Sequence, residues 1–258
     1  MTRIQDAAQA LHQDWQTKAP FENIAQGFGV TSAEQAYDVQ AALQKLHVPS
    51  RGAIVGRKIA LASKVMQQMI GFDQPISGAI FASDVMQSPA NVPADAFGRL
   101  GVECELAVEL NADVAPQPTA FTAASVDGLI ATVRPAFELI EDRKADYATL
   151  DPLTLIADNA WCGGVVLGPE LGGWNSLDLA DIASALTHSG RDDEAANTGA
   201  ADPLGSLAWV LNHFGVRGVT LQKGEMIITG SAVRTRFPER GDRLRYDVAG
   251  ACVEMQVV

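Results

Sequence analysis

The sequence predicts an α+β fold, in which a small helical N-terminal region over residues 1–55 precedes a β-rich domain over residues 56–258. Apolar residues repeat at helical spacing as far as Leu46, whereas strand-like alternation dominates beyond residue 95. Long helical patterns are few in the second part, which argues against a parallel βαβ sheet. The length suits one large domain with a small appendage.

Composition and motifs exclude several classes of protein. The formal net charge is −12, whereas nucleic-acid binding needs clustered Lys and Arg. No stretch approaches the roughly 18 apolar residues of a membrane span, and the first residues lack the apolar core of a signal peptide. Walker, GxGxxG and GxSxG motifs are missing, so nucleotide enzymes and serine hydrolases are unsupported. The three cysteines lack metal-type spacing, and we expect a soluble cytoplasmic protein with reduced thiols.

Two helices are expected in the N-terminal region. The first, over residues 3–17, is predicted by an apolar stripe at helical spacing, formed by Ile4, Ala7, Ala8, Leu11 and Trp15. The second is expected to begin at Thr31, which can form a capping box with Glu34. Pro49 is expected to end it.

A strand is predicted next, over residues 53–60, and it carries Lys58 among β-branched residues. A lysine inside an apolar strand costs free energy unless it pairs with an anion or extends its ammonium group to water. Ser63 then caps a predicted short helix that ends at Gly71. The proline-containing stretch over residues 73–98 is expected to be rich in loops.

Residues 101–110 form a predicted strand with acidic side chains on one face. The apolar face carries Val102, Cys104, Leu106, Val108 and Leu110. Glu103 and Glu105 lie on the other face, about 6–7 Å apart along the strand, which is close enough for both to bind one cation. The alternative is a solvated polar face.

A further carboxylate, Glu138, lies on an apolar face of the strand predicted over residues 132–140. Such a residue needs a partner, and either Arg143 or a metal shared with Glu103 and Glu105 would serve. The four histidines form no HxH or HExxH pair, so a histidine-rich zinc site is unsupported. A bound metal would therefore have carboxylate ligands, which favours a hard cation such as Mg²⁺ or Mn²⁺.

The rest of the chain contributes short elements and turns. Helices are predicted over residues 122–130 and from the N-cap Asp202 to Gly215. Strands are predicted over residues 165–167, 225–229, 243–248 and 252–257, the last two as a closing hairpin. Glu141 and Asp142 are interpreted as solvated strand-end residues, and Asp158 and Asn159 as turn residues.

Six short segments in chain order carry a resemblance to a known family. They are Gly56-Arg-Lys-Ile-Ala-Leu-Ala-Ser-Lys-Val-Met-Gln67, Gly101-Val-Glu-Cys-Glu-Leu-Ala107, Pro135-Ala-Phe-Glu-Leu-Ile140, Ile156-Ala-Asp-Asn-Ala160, Pro203-Leu-Gly-Ser-Leu-Ala-Trp209 and Gly224-Glu-Met-Ile-Ile-Thr-Gly230. In this order they resemble the 2-keto-4-pentenoate hydratase group of the fumarylacetoacetate hydrolase superfamily. That group includes 2-oxohept-4-ene-1,7-dioate hydratase and 4-oxalocrotonate decarboxylase. The similarity begins near Ala36-Tyr-Asp-Val-Gln40 and extends over most of the chain.

The resemblance implies a β-rich fold of mixed sheets with a β-roll, and it implies a metal site. In that group the ExE pair and the glutamate of the P-A-x-E strand hold a divalent metal. By resemblance the ligands of Mg²⁺ or Mn²⁺ are Glu103, Glu105 and Glu138, and Lys58 lies beside the substrate. Relatives assemble, so a homo-oligomer is expected.

The implied reaction is hydration of a 2-hydroxy-2,4-dienoate to a 4-hydroxy-2-oxo acid in the meta-cleavage catabolism of aromatic compounds. One alternative is decarboxylation of a 4-oxalocrotonate-type acid. Another is C–C hydrolysis of an acylpyruvate, which ranks lower because no histidine matches the required His-Glu pair. A non-catalytic assembly subunit is a further alternative, against which the three intact glutamates argue.

The roles in proton transfer and substrate binding follow from the same resemblance. Lys58 is expected to hydrogen-bond the substrate carboxylate or to carry a proton, with its pKa lowered by burial and by the cation. Asp158 or Asp84 is the expected acid–base partner; Asp84 is displaced from the acidic residues that usually follow G-x-L-F in this group. Hydroxyl and amide donors to the substrate carboxylate are expected from Thr229, Gly230 and Ser231.

Overall fold

The computed structural model describes residues 3–258; Met1 and Thr2, which the predicted N-terminal region includes, lie outside the described residues. The described chain forms these α-helices: α1 Arg3–Thr17, α2 Ala25–Phe28, α3 Ala33–Arg51, α4 Lys64–Ile70, α5 Ala123–Val126, α6 Pro152–Ala157 and α7 Pro203–Val216. It forms these strands: β1 Ile54–Ala60, β2 Ile76–Phe81, β3 Val85–Gln87, β4 Ala90–Val92, β5 Leu100–Leu110, β6 Ile130–Glu141, β7 Cys162–Leu167, β8 Ala183–His188, β9 Glu194–Asn197, β10 Met226–Ile228, β11 Arg243–Val248 and β12 Ala251–Val257.

The strands form two mixed sheets, which confirms the predicted α+β class. The larger sheet has the order β2-β1-β10-β5-β6-β7-β3, and the smaller has the order β4-β12-β11-β8-β9. At the centre of the larger sheet lies the long antiparallel pair of β5 and β6. A hydrophobic cluster joins buried side chains of both sheets and of α7, so one face of the β5–β6 pair packs against the protein core.

The N-terminal helices form as predicted, but the bounds of α3 differ from the prediction. Ser32, not Thr31, is the N-cap, and its hydroxyl accepts from the backbone N–H of Gln35. Thr31 instead donates to the side chain of Gln35. The helix also continues through Pro49 to Arg51, because a proline in the last turn removes only one intrahelical hydrogen bond. The predicted cap and end were therefore wrong.

Two other regions add detail to the predictions. The stretch over residues 73–98 is rich in loops as expected, but it also contains β2, β3 and β4, which were not predicted. The strand β2 is buried along its whole length, so its apolar run has no alternation to reveal it. The helix predicted over residues 122–130 agrees with the structure: Thr122 is its N-cap, α5 forms one turn, and a 3₁₀ turn over Asp127–Leu129 continues it until Ile130 begins β6 by pairing with Leu110.

The other predicted elements agree with the structure to within three residues, whereas α2, α6 and β9 were not predicted. Ser63 caps α4, and Gly71 ends it in the left-handed conformation that glycine favours. Asp202 caps α7, and β11 and β12 form the closing hairpin around the turn at Ala249 and Gly250. Across the described residues no helix is both long enough and apolar enough to cross a membrane. The cysteines are free, as expected: Cys104, Cys162 and Cys252.

Candidate metal centre

Three glutamates converge at the centre of the larger sheet. Glu103 and Glu138 lie directly opposite each other in the β5–β6 register, and Glu105 lies two residues further along the same face of β5. One carboxylate oxygen from each side chain lies within 4.8 Å of the others. The pairing of the two strands therefore assembles the three carboxylates that the sequence analysis singled out.

The cluster is buried at one end and partly open at the other. Glu105 is 1% exposed and Glu138 is 0% exposed, whereas Glu103 is half-buried. Oε1 of Glu105 and Oε2 of Glu138 have no hydrogen-bond partner within residues 3–258. Burial raises the pKa of Glu105 well above its usual range, and the charges of Glu138 and Glu103 raise it further. Because buried, crowded carboxylate oxygens need a cation, these residues fit a hard divalent metal.

Lys58 is the cationic partner of this cluster. Its Nζ lies 2.9 Å from Oε1 of Glu138, and its side chain is 1% exposed, so it pairs with an anion instead of reaching water. Burial alone would lower the pKa of Lys58, but the charges of Glu138, Cys162 and Glu103 outweigh burial and raise it above its ordinary value. The lowering predicted for the site with a bound cation stays a prediction. Lys58 is held as an ammonium ion beside the glutamates.

Metal affinity is expected to fall as the pH is lowered through 7. Burial raises the pKa of Glu138 from 4.5 to about 7, although the neighbouring charge of Lys58 lowers it in part. A proton on this carboxylate competes with a cation, so we expect the Kd for Mn²⁺ to rise about tenfold per pH unit for each proton displaced. Isothermal titration calorimetry at pH 6, 7 and 8 measures this slope. A Kd that does not change with pH would contradict the assignment of Glu138 as a ligand.

The segment after β10 runs alongside β5 and donates hydrogen bonds to two of the carboxylates. Its backbone is hydrogen-bonded to β5 along residues 102–106. The N–H of Gly230 donates to Oε2 of Glu105 at 2.6 Å, and Oγ1 of Thr235 donates to Oε1 of Glu103 at 2.5 Å. Groups that hydrogen-bond a metal ligand fix its orientation. Thr235 thus orients the half-buried member of the cluster, and sequence reasoning missed it because no local pattern marks this loop residue.

Replacement of Thr235 by valine is expected to weaken Mn²⁺ binding by about 10–100-fold, because Glu103 loses the donor that orients it. Replacement by serine retains the hydroxyl and should leave the affinity within about threefold of the original. Titration calorimetry of both variants at pH 8 provides the comparison. Equal affinities for the two variants would show that the hydroxyl does not orient Glu103.

The predicted substrate donors next to β10 serve the fold in this structure. Oγ1 of Thr229 donates to the carbonyl of Leu106, and Oγ of Ser231 donates to the carbonyl of Val233. The N–H of Gly230 is the donor to Glu105 described above. These bonds shape the loop beside the cluster, and the predicted contacts of the three residues with substrate stay a prediction.

The two aspartates predicted as acid–base partners lie in arginine ion pairs. Oδ2 of Asp158 is 2.7 Å from Nη2 of Arg143, and Oδ2 of Asp84 is 2.7 Å from Nη2 of Arg51. Burial raises the pKa of both aspartates, and the arginines lower it in part. Within residues 3–258 no hydrogen bond joins either aspartate to Lys58 or to the glutamate cluster. Their acid–base roles stay predictions.

The end of β6 differs from the sequence prediction. Glu141 is 3% exposed and Asp142 is 0% exposed, so the expectation of solvated strand-end residues was wrong. Glu141 accepts from backbone N–H groups that include that of Gly98, and Asp142 accepts from Arg99. The loop that leads into β5 thus satisfies both carboxylates. Arg143, an expected partner of Glu138, pairs with an aspartate instead.

Comparison with known proteins identifies similar sequences with named activities. The family model described as fumarylacetoacetate (FAA) hydrolase C-terminal matches residues 57–258. The chain is 30% identical over 233 residues to a 2-keto-4-pentenoate hydratase of Paraburkholderia xenovorans (strain LB400), covering 88% of this chain and 84% of that protein. It is also 30% identical over 251 residues to a 2-oxo-hept-4-ene-1,7-dioate hydratase of Escherichia coli, covering 93% of this chain and 92% of that protein.

Solved structures share the fold. The chain is similar to 4-oxalocrotonate decarboxylase from Pseudomonas putida G7, complexed with magnesium and adipate, with a TM-score of 0.90 and 22% identity. The similarity covers 99% of this chain and 97% of that one. This likeness extends over the N-terminal helices as well as the sheets, and it confirms the predicted architecture.

Proposed function

The chain belongs to the fumarylacetoacetate hydrolase family, and from this premise we propose that it is a divalent-metal-dependent hydratase. Its substrate is a 2-hydroxy-2,4-dienoate and its product a 4-hydroxy-2-oxo acid, as in the degradation of aromatic ring-cleavage products. The observation that carries the proposal is the carboxylate cluster with Lys58 paired to Glu138. The hydratase names of relatives at 30% identity support the reaction class.

Glu103, Glu105 and Glu138 are the proposed ligands of Mg²⁺ or Mn²⁺. When bound, such a cation supplies Lewis-acid polarisation of the substrate's 2-oxo group. The protein contributes orientation: Gly230 and Thr235 hold two of the carboxylates by direct hydrogen bonds. The opposed strands fix the third, so little reorganisation is needed when substrate binds.

Hydration requires two proton movements and one water molecule. A proton leaves the 2-hydroxyl and is added at C5, which gives a 2-oxo-3-enoate; water then adds its hydroxyl at C4 and its proton at C3. Lys58 is proposed to donate from Nζ to the substrate carboxylate or to carry one of these protons. Asp158 and Asp84 remain the predicted acid–base partners, and each would first have to leave its arginine ion pair.

The direct test follows the loss of diene absorbance. Purified protein is incubated with Mn²⁺ or Mg²⁺ and 2-hydroxypenta-2,4-dienoate, with a chelator-treated sample as control. We expect the absorbance to fall only with metal and 4-hydroxy-2-oxopentanoate to form. Inactivity on the dienoate, together with release of CO₂ from 4-oxalocrotonate, would overturn the hydratase proposal in favour of a decarboxylase.

The proposal also includes the finer expectations of the resemblance: a homo-oligomeric, cytoplasmic enzyme with a catalytic domain over residues 56–258. Size-exclusion chromatography with light scattering measures the assembly. A monomer at micromolar concentration would remove the oligomer from the proposal without affecting the metal site.

A further inference from the structure

The helix α3 presents a row of polar side chains to the edge of the larger sheet. Tyr37, Gln40 and Gln44 are spaced by three and four residues, so they share one face of the helix. Gln40 is only 4% exposed. This face lies against β2, which is the edge strand beside β1 and therefore beside the strand that carries Lys58. A buried polar side chain in such a position needs hydrogen-bond partners for its polar atoms.

Gln40 uses every hydrogen-bonding group of its amide. Nε2 donates to the carbonyl of Ser77 in β2 and to the carbonyl of Ile156 in α6, both at 2.7 Å. Oε1 accepts from Nε2 of Gln44 at 3.0 Å, and the same Gln44 nitrogen lies 3.0 Å from Oδ1 of Asn159. One buried side chain therefore ties together β2 and the segment over residues 156–159.

These two segments form the groove in which the stem of Lys58 lies. Gly78 is opposite Lys58 in the β1–β2 register. A Cβ at Gly78 would lie 2.4 Å from the carbonyl oxygen of Asn159 and 3.3 Å from Cγ of Lys58, so the three parts are in close contact. In addition, Oγ of Ser77 donates to the carbonyl of Lys58 at 2.8 Å. Any shift of β2 or of Asn159 would move the lysine.

We propose that Gln40 is a positioning residue for Lys58, acting through Ser77 and the Asn159 segment. It follows that α3, which precedes the matched residues 57–258, helps to position a proposed catalytic side chain. This inference rests on the proposed function, which gives Lys58 its role. Within residues 3–258 no hydrogen bond joins Gln40 to the three glutamates, so its effect is separable from metal binding.

The test replaces Gln40 by methionine, which keeps the chain length and removes the amide. We expect kcat/KM on 2-hydroxypenta-2,4-dienoate to fall about 10–100-fold, with the Kd for Mn²⁺ unchanged within about twofold. In a Lys58→Met background the same replacement should cause no further loss, since there is no lysine left to position. Ser77→Ala, which removes only the bond to the carbonyl of Lys58, is the second variant if Gln40→Met does not fold, and it should lose about tenfold.

The matched control is Thr154→Val. Thr154 is 0% exposed; its hydroxyl accepts from the backbone N–H groups of Ile24 and Ala25 and donates to Asp151, and none of these bonds involves Gln40, Ser77 or Lys58. It should lose stability as Gln40→Met does and keep its kcat/KM. Three outcomes would overturn the positioning role alone. They are a normal kcat/KM for Gln40→Met beside an inactive Lys58→Met, an equal loss of kcat/KM in Thr154→Val, and a further loss of kcat/KM when Gln40→Met is added to Lys58→Met. Full activity of Lys58→Met overturns both the positioning role and the proposed role of Lys58.

Discussion

Replacement of Glu105 by glutamine is expected to abolish tight metal binding while the fold persists. Glu105 is the buried β5 member of the carboxylate cluster, and an amide offers a hard cation a neutral, weaker ligand. The Kd for Mn²⁺ should rise by more than about 100-fold, beyond the 10–100-fold effect of an outer hydrogen-bond partner. Loss of several kcal/mol of Lewis-acid stabilisation corresponds to a fall in kcat/KM of about 10²–10⁴-fold.

The same replacement is expected to stabilise the metal-free protein at pH 8. Burial and the neighbouring carboxylates raise the pKa of Glu105 in the folded state above its unfolded value. The folded protein therefore binds this proton more tightly, and ionisation of Glu105 destabilises the fold increasingly as the pH rises above the unfolded pKa. Glutamine removes that cost and still accepts from the N–H of Gly230. Each kcal/mol gained should raise Tm by roughly 2–4 °C, and the gain should vanish near pH 4.

Glu109→Gln is the matched control, because Glu109 lies on the same face of β5 but outside the cluster. Calorimetry with Mn²⁺ and thermal unfolding with and without a chelator separate the two effects. An unchanged Kd in Glu105→Gln would remove Glu105 from the ligand set. A lower Tm of the metal-free variant at pH 8 would show instead that the ionised carboxylate is well accommodated.

The carboxylate pair on β5 was accessible from sequence because it depends on strand geometry, whereas its role as a metal site came from the resemblance. Alternation places Glu103 and Glu105 on one face of a strand whatever the tertiary context. The third carboxylate, Glu138, stood out as a charge on an apolar strand face, but its partner was left open between Arg143 and a metal. Only the register of β5 against β6 sets Glu138 opposite Glu103, and register depends on contacts between residues far apart in sequence.

The supporting residues were not accessible from local patterns. Thr235 lies in a loop with no periodicity, and its bond to Glu103 spans more than a hundred positions of the chain. The burial of Asp142 was missed for the same reason, since Arg99 reaches it from the loop before β5. Likewise β2 was not predicted within its loop-rich stretch, because a strand buried on both faces shows no alternation. Each of these features arises from long-range packing that propensity does not encode.

Replacement of Lys58 by methionine is expected to remove nearly all activity and to leave metal binding intact. The methionine retains the apolar stem that packs near Gly78 but loses the ammonium group 2.9 Å from Glu138. A positioned proton donor contributes about 10²–10⁴-fold, and kcat/KM should fall by this factor. The Kd for Mn²⁺ at pH 8 should stay the same or decrease, because a cation has been removed from beside the ligands. Steady-state kinetics and calorimetry measure the two quantities.

Two further variants distinguish chemistry from damage to β1. Lys58→Arg keeps the positive charge, but its planar guanidinium is wider than an ammonium group. At Gly78 the backbone of Asn159 and the stem of Lys58 pack closely, so this variant should still have a low kcat/KM. Arg57→Met removes the neighbouring cation, whose guanidinium pairs with Glu225 and packs over Phe214, and it should retain most of the activity. Weaker Mn²⁺ binding in Lys58→Met would instead mean that the lysine holds Glu138 in place for the metal. Its contribution would then be to the cation site and not to proton transfer.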